Sequence, residues 1–194
     1  MNSHDPLYLK SLAILLCIIA AGPPDRLLAR KNQASVNQSQ QGDASTAKSP
    51  DTSKWKVYRN ENHGFQVKYP ATWTVHSSKG ISPEMVYFVG SYRGVIGQTL
   101  TIFIQLNMNP RKLSIEDWSA EQLRIVDTIK LKAKGCSTVG GKRACFFEDT
   151  DKSGKERSVF TLLHQTDVLS FSYKLGTADS SNCEAIIHSF QVLK

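Results

Sequence analysis

No stretch of this sequence is long and apolar enough to span a bilayer. The longest apolar run, SLAILLCIIAA at residues 11–21, falls well short of the roughly 20 residues that a membrane helix needs. The motifs of common enzyme classes are missing as well. There is no GxSxG, Walker A, HExxH or GxGxxG, so no nucleophile elbow, phosphate loop, zincin helix or dinucleotide turn is expected. No CxxC occurs, and the five histidines (His4, His63, His76, His164, His188) are scattered, so no metal and no cofactor are expected. Acidic residues are in the minority: 17 Asp and Glu stand against 24 Lys and Arg, for a net charge of +7. A hydrophobic fraction of 40% with 21% charged residues excludes both a wholly disordered chain and a polytopic membrane protein.

The 194 residues divide into three parts by composition. Residues 1–29 read as a signal peptide. Lys10 flanks an apolar run of the right length for an h-region, and cleavage is placed after Ala29, since cleavage after Gly22 would leave Pro23 at the first mature position. Cys17 does not make a lipidation site: the large Leu16 stands where a small residue is needed, and Cys17 lies inside the run. Residues 30–54 are rich in Gln, Ser and Asn, with Val36 the only bulky apolar side chain. Such a stretch cannot offset its chain entropy by burial, so a disordered tether is predicted. Asn37-Gln38-Ser39 matches a glycosylation sequon, which a tract of this composition produces by chance.

From Trp55 onward the pattern is that of a folded domain, residues 55–194, with 18 Lys and Arg against 13 Asp and Glu. Alternation at period two predicts strands at Phe65, Val67 and Tyr69, at Trp73 and Val75, and over residues 85–92. A further strand carries Leu100, Ile102, Ile104 and Leu106 on one face and Phe103 on the other, which suits a strand covered on both sides. Ser114 is a good N-cap, with Glu116 and Asp117 in the first turn. Ile115, Trp118, Ile125, Val126 and Ile129 recur near helical spacing, and the expected helix runs through Lys130, Lys132 and Lys134 to a stop at Gly135. Strands follow at 136–139, 142–150, 156–164 and 168–175. A last helix from about residue 179 shows Cys183, Ile186, Ile187 and Phe190 at i, i+3, i+4 and i+7. The class is α+β with a mainly antiparallel sheet.

The cysteines give a sharper expectation. Gly140-Gly141 fits a two-residue hairpin turn, and folding the chain there places Val139 opposite Lys142 and Cys136 opposite Cys145. Such a non-hydrogen-bonded pair brings its Cα atoms to about 4.5 Å, inside the window for a disulfide. A Cys136–Cys145 bridge is the favoured pairing. Reduced buried thiols, or a bridge from Cys183 to either partner, are the alternatives. Asp149 to Gly154 resembles the first half of an EF-hand loop, but position twelve is Phe160 instead of the required Glu, so an acidic turn is expected.

Several segments, in order, resemble PsbP-like domains. Tyr58-Arg-Asn60-Glu-Asn-His-Gly64-Phe65, then Val67-Lys-Tyr69-Pro70 and Trp73, follow the family's Y-x-N-x-x-x-G-F-x-(I/V)-x-Y-P-x-x-W opening. Leu113-Ser-Ile-Glu-Asp117 resembles its helix start, Val139-Gly-Gly-Lys-Arg-Ala144 its G-x-x-A hairpin, and Cys183-Glu-Ala-Ile-Ile-His-Ser-Phe190 its I-x-x-S-F ending. The resemblance covers residues 55–194. It implies an αβα sandwich, an antiparallel sheet flanked by helices. It also implies an exported, non-catalytic binding or accessory domain, in the periplasm or cell envelope, or in the thylakoid lumen on photosystem II if the host is photosynthetic. The N-terminal interaction segment of plant and cyanobacterial members is not identifiable in the Gln/Ser-rich tail. The alternatives are a photosystem II accessory subunit in a photosynthetic host and a hydrolase whose site is not visible in sequence.

For partners, the residues suggest a protein or another anionic surface. The basic residues Arg111, Lys112, Lys130, Lys132, Lys134, Lys142 and Arg143 gather near the predicted helix ends and the Gly-Gly turn. A solvated face explains them equally well. Nucleic acid is not expected, because the aromatics fall on predicted core faces instead of an exposed stacking surface. The chain is expected to be a monomer, and to meet a membrane only through an uncleaved N-terminal segment.

Overall fold

Among the described residues, alternating apolar residues and tight turns give ten strands, and two amphipathic segments give two helices. The computed structural model describes residues 50–194 apart from 79, 81–82, 93–94, 126–130, 152–153 and 194, with the backbone alone described at 91, 92, 95–98, 125, 150 and 151. The expected signal peptide and nearly all of the expected tether therefore lie outside the described residues. The strands are β1 (Lys56–Asn60), β2 (Phe65–Tyr69), β3 (Thr74–Ser78), β4 (Glu84–Tyr92), β5 (Val95–Gln105), β6 (Lys132–Val139), β7 (Lys142–Asp151), β8 (Gly154–Leu162), β9 (Val168–Lys174) and β10 (Gln191–Val192). Helix α1 spans Ile115–Ile125 between β5 and β6, and α2 spans Ser180–His188 before β10.

Every recorded strand pair is antiparallel. Seven strands form one sheet in the order β3-β4-β5-β9-β8-β7-β6, and β1-β2-β10 form a small sheet. The class is α+β, as the pattern and the family resemblance both imply. On one face of the large sheet, Val86, Phe88, Leu100, Ile102, Leu169 and Phe171 meet Phe65 and Val67 of β2 and Cys183, Ile186 and Ile187 of α2. Phe190 closes this layer by ring contacts to Phe65 and Phe171 at 6.1 and 5.8 Å. The opposite face carries Cys145, Phe147, Phe160 and Val168 and is covered by Ile115 and Trp118 of α1. Trp118 lies 5.6 Å from the Phe160 ring and donates its indole N–H to the Met108 carbonyl at 2.9 Å. The large sheet is thus buried on both sides, as expected for β5, where Phe103 points away from Leu100, Ile102 and Ile104.

Three local expectations change. The helix that opens at Ser114 is capped as predicted: the Asp117 backbone N–H donates to Ser114 Oγ at 3.1 Å, and that hydroxyl donates to Asp117 Oδ2 at 2.7 Å. It does not run on to Gly135, however, because Lys132 already belongs to β6 and pairs with Glu148. Gly135 is a bulge residue at φ +99° instead of a helix stop. Pairing with β7 overrides the helical reading of residues 132–134. Leu106 lies just past β5 and is 58% exposed, outside the apolar face assigned to it. β10, with two residues, is too short to show in the alternation, and the apolar residues of β1, Val57 and Tyr58, are adjacent instead of alternating.

The Gly-Gly turn behaves as its register predicts: Val139 pairs with Lys142, Thr138 with Arg143, Ser137 with Ala144 and Cys136 with Cys145. A disulfide joins Cys136 and Cys145, with Cα atoms 4.0 Å apart, while Cys183 is a buried free thiol. Burial, with Asp179 and Glu184 nearby, pushes the Cys183 thiol far up, so it stays protonated and unreactive. Because the bridge closes a short loop that the β6–β7 ladder already closes, its loss in a Cys136→Ser/Cys145→Ser protein is expected to cost only about 2 kcal/mol. Denaturant titration measures this. In the protein that begins after Ala29, alkylation should label no cysteine while it is native and oxidised, and Cys183 alone after unfolding without reductant.

Candidate functional site: a basic face around helix α1

The loop that joins β5 to α1 is built by one side chain. Asn109 is 1% exposed and holds both ends of its own turn: its Nδ2 donates to the Leu113 carbonyl at 2.8 Å and to the Gln165 carbonyl at 3.1 Å, and its Oδ1 accepts from the Leu113 N–H at 2.9 Å. Asn107 and Lys112 sit at φ +56° and +53°, a left-handed conformation that non-glycine residues adopt only where the surroundings hold it. Arg111 and Lys112 are therefore presented on a rigid loop.

The predicted basic residues divide by their partners. Arg111 pairs with Glu121 of α1. Arg143 pairs with Glu116 of α1 at 2.7 Å, and the hydrogen bond from Arg143 holds the Glu116 carboxyl below its ordinary range. Lys134 pairs with Glu148 at 3.1 Å. Lys112, Lys132 and Lys142 are exposed and have no carboxylate partner among the described residues. Lys130 lies outside the described residues. These residues do not converge on one point. Lys142 and Arg143 are at the turn of the β6–β7 hairpin, whereas Lys132 and Lys134 are at its far end, about 20 Å away for an eight-residue strand. What the fold brings together is a band along α1 and the hairpin, in which carboxylates neutralise three of the cations. Helix α1 supplies Glu116 and Glu121, and the sequence pattern registered these only as first-turn charge or not at all.

A second charged group lies under α2. Arg157 of β8 donates to Glu148 Oε1 at 2.7 Å and to Glu184 Oε1 at 2.8 Å, and Tyr173 donates to the same Glu184 oxygen at 3.1 Å. Burial raises the Glu148 carboxyl, but the hydrogen bonds from Arg157 and Lys134 outweigh it, so the net shift is downward. Burial also pushes the Tyr173 phenol far up. These groups clamp α2 to the sheet. At the small sheet, His63 Nε2 lies 2.9 Å from Glu84 Oε2 and ties the β1–β2 turn to β4, a partner that its place beside Gly64 did not reveal. His76, His164 and His188 are exposed. Among the described residues no three His, Cys, Asp or Glu side chains are grouped to hold a metal. The acidic turn forms the end of the β7–β8 hairpin, with Asp151 opposite Gly154.

No protein-family model matches the chain, and no curated protein sequence matches it. Solved structures of similar shape include the cyanobacterial PsbP protein CyanoP from Synechocystis. It is 15% identical, with a TM-score of 0.48, over 78% of this chain and 98% of that one. A Bacteroides thetaiotaomicron protein is 15% identical with a TM-score of 0.42, over 72% of this chain and 48% of that one. A putative regulator from Pseudomonas aeruginosa is 14% identical with a TM-score of 0.30, over 62% and 83%. Likenesses at this level concern shape and carry nothing about activity or partners.

Proposed function

We propose that the chain is a non-catalytic, exported accessory domain that acts by surface contact with an anionic partner. The observation that supports export is the Cys136–Cys145 disulfide, since such bridges persist in oxidising compartments and are rare in the cytosol. The signal-like residues 11–21 agree with it, and the PsbP-like motifs fit the same kind of domain. A tether of about 25 residues would give the domain a reach of roughly 25–30 Å. The contact is assigned to Lys112, Lys132 and Lys142, whose charge is not already taken up by a neighbouring carboxylate. Arg111, Arg143 and Lys134 contribute less, each being paired.

The test is capture of partners by the full chain from the native envelope, followed by binding of the captured partner to wild-type protein and to a Lys112→Glu/Lys132→Glu/Lys142→Glu protein. The triple variant should fold normally, bind about ten-fold or more weakly and show a shallower dependence on salt. An unchanged affinity and salt slope would remove the basic band from the interface. Recovery of the chain in the cytoplasm with both thiols reduced would remove export.

A further inference from the structure

Strand β6 ends the seven-stranded sheet and, among the described residues, pairs with β7 alone. No backbone bond from a turn, loop or cap among those residues reaches its other side. Lys132 to Gly135, Ser137 and Thr138 are exposed, and Cys136 is partly buried. An edge of this kind presents main-chain donors and acceptors to any strand that can lie beside it.

Register fixes which groups these are. Gly140 and Gly141, both at positive φ, make a two-residue turn, so Val139 and Lys142 exchange both of their main-chain bonds. Along an antiparallel ladder such pairs alternate with open ones. Ser137–Ala144 is therefore a bonded pair, whereas Thr138–Arg143 and Cys136–Cys145 are open pairs. Thr138 and Cys136 thus turn their N–H and C=O groups away from β7, to the free edge. The disulfide holds Cys136 against β7, which makes this part of the edge rigid before anything meets it.

Charge decides what fits there. Lys142 stands opposite Val139, and Lys132 stands opposite Glu148, six positions along β7 from Lys142. An even spacing puts both lysines on one face of the sheet, about 20 Å apart. Neither has a carboxylate partner among the described residues, and β6 itself carries no acidic residue. The nearby Glu148 is already held by Lys134 and Arg157. A compact anion cannot touch both lysines, but a seven-residue strand with a carboxylate at each end can. Edge lysines and a bulge such as that at Gly135 guard against indiscriminate pairing. Here they disfavour a second copy of this basic chain and favour an acidic strand.

We propose that the free edge of β6 binds an extended, acidic segment of a partner protein. The segment adds to the large sheet beside Cys136 and Thr138, and carboxylates near its two ends meet Lys132 and Lys142. This rests on the reading of an anionic partner given above, and it states the form that the partner takes.

The probe is a synthetic seven-residue peptide in which threonine and valine alternate between an aspartate at each end. It is titrated into the isotope-labelled full chain. The Cys136 and Thr138 amides should shift, and their hydrogen exchange should slow ten-fold or more at saturation. The same peptide with lysine at both ends, or with proline at its centre, should bind at least ten-fold more weakly. Thr138→Pro removes an outward N–H and leaves the β6–β7 ladder intact, so it should weaken binding to a similar degree. Strand addition is overturned if the aspartate-ended peptide does not bind at this edge, or if the lysine-ended peptide binds equally well. Binding that survives the central proline overturns it too, and that comparison decides even if Thr138→Pro does not fold. The basic band keeps its separate test, because the Lys112→Glu/Lys132→Glu/Lys142→Glu protein reads charge and not main-chain pairing.

Discussion

Gly140→Ala is expected to be the most damaging small substitution in the protein, costing about 4 kcal/mol or more, or preventing folding altogether. A Cβ built on Gly140 would stand 1.7 Å from the carbonyl oxygen of Phe190 and 2.7 Å from its carbonyl carbon. Those are backbone atoms at the end of α2, so no rotamer change relieves the overlap. Residue 140 is also at φ +55°, where an L side chain adds strain of its own. Either the β6–β7 turn lifts off or Phe190 leaves its place against Phe65 and Phe171. Gly141 at φ +79° has open space around it, so Gly141→Ala should cost only about 1 kcal/mol. Urea titration of the two variants separates steric from conformational cost. A loss below about 1 kcal/mol at Gly140 would mean that the turn does not touch α2 in solution.

Arg157→Met should cost about 3 kcal/mol at neutral pH, because it leaves Glu148 and Glu184 without their shared cation, and Glu148 is largely buried. The dependence on pH gives this prediction its sign. In the wild-type protein the Glu148 carboxyl is depressed below its unfolded value near 4.5, so its contribution is present above that value and is lost as pH falls through the lower, folded one. With Arg157 gone, burial pushes the same carboxyl upward against the help of Lys134 alone. Acid then harms the variant less than the wild type, and the stability gap should narrow between pH 7 and pH 4. A gap that stays constant over that range would show that Arg157 acts through packing of its aliphatic stem and not through charge.

The legible parts of this fold were those set by local geometry. The Gly140-Gly141 turn fixed a register that brings Cys136 opposite Cys145, and the observed pairing has that register. The Ser114 cap and the spacing of Ile115 and Trp118 marked where α1 starts, and Cys183, Ile186 and Ile187 marked the buried stripe of α2. What could not be read depends on one residue of offset. The bulge between Ala133 and Gly135 shifts the β6–β7 register, so that Lys132 faces Glu148 and Lys134, the extra residue, reaches the same carboxylate. Without the bulge the three lysines look like a basic helix end. The pairs Arg111–Glu121 and Arg143–Glu116 are tertiary, set by where the loop lays Arg111 and how α1 crosses the hairpin. A sequence scan therefore counts cations and overstates the charge that is open to a partner.

The way the two sheets are joined has a consequence for synthesis. β10 is hydrogen-bonded to β2, the Leu193 N–H donates to the Gly64 carbonyl at 2.7 Å, and Cys183, Ile186, Ile187 and Phe190 fill the layer between the small sheet and the large one. Residues more than 110 positions apart must therefore meet before that layer exists. While the chain emerges from the ribosome in order, at about 5–20 residues per second, β2 waits several seconds or more for the segment that completes it. During that interval Phe65 and Val67 of β2 and Phe88 of β4 lack the cover that α2 supplies, which leaves this part of the nascent chain open to chaperones. The late arrival of α2 and β10 delays the commitment to a compact shape until nearly all of the described sequence has been made.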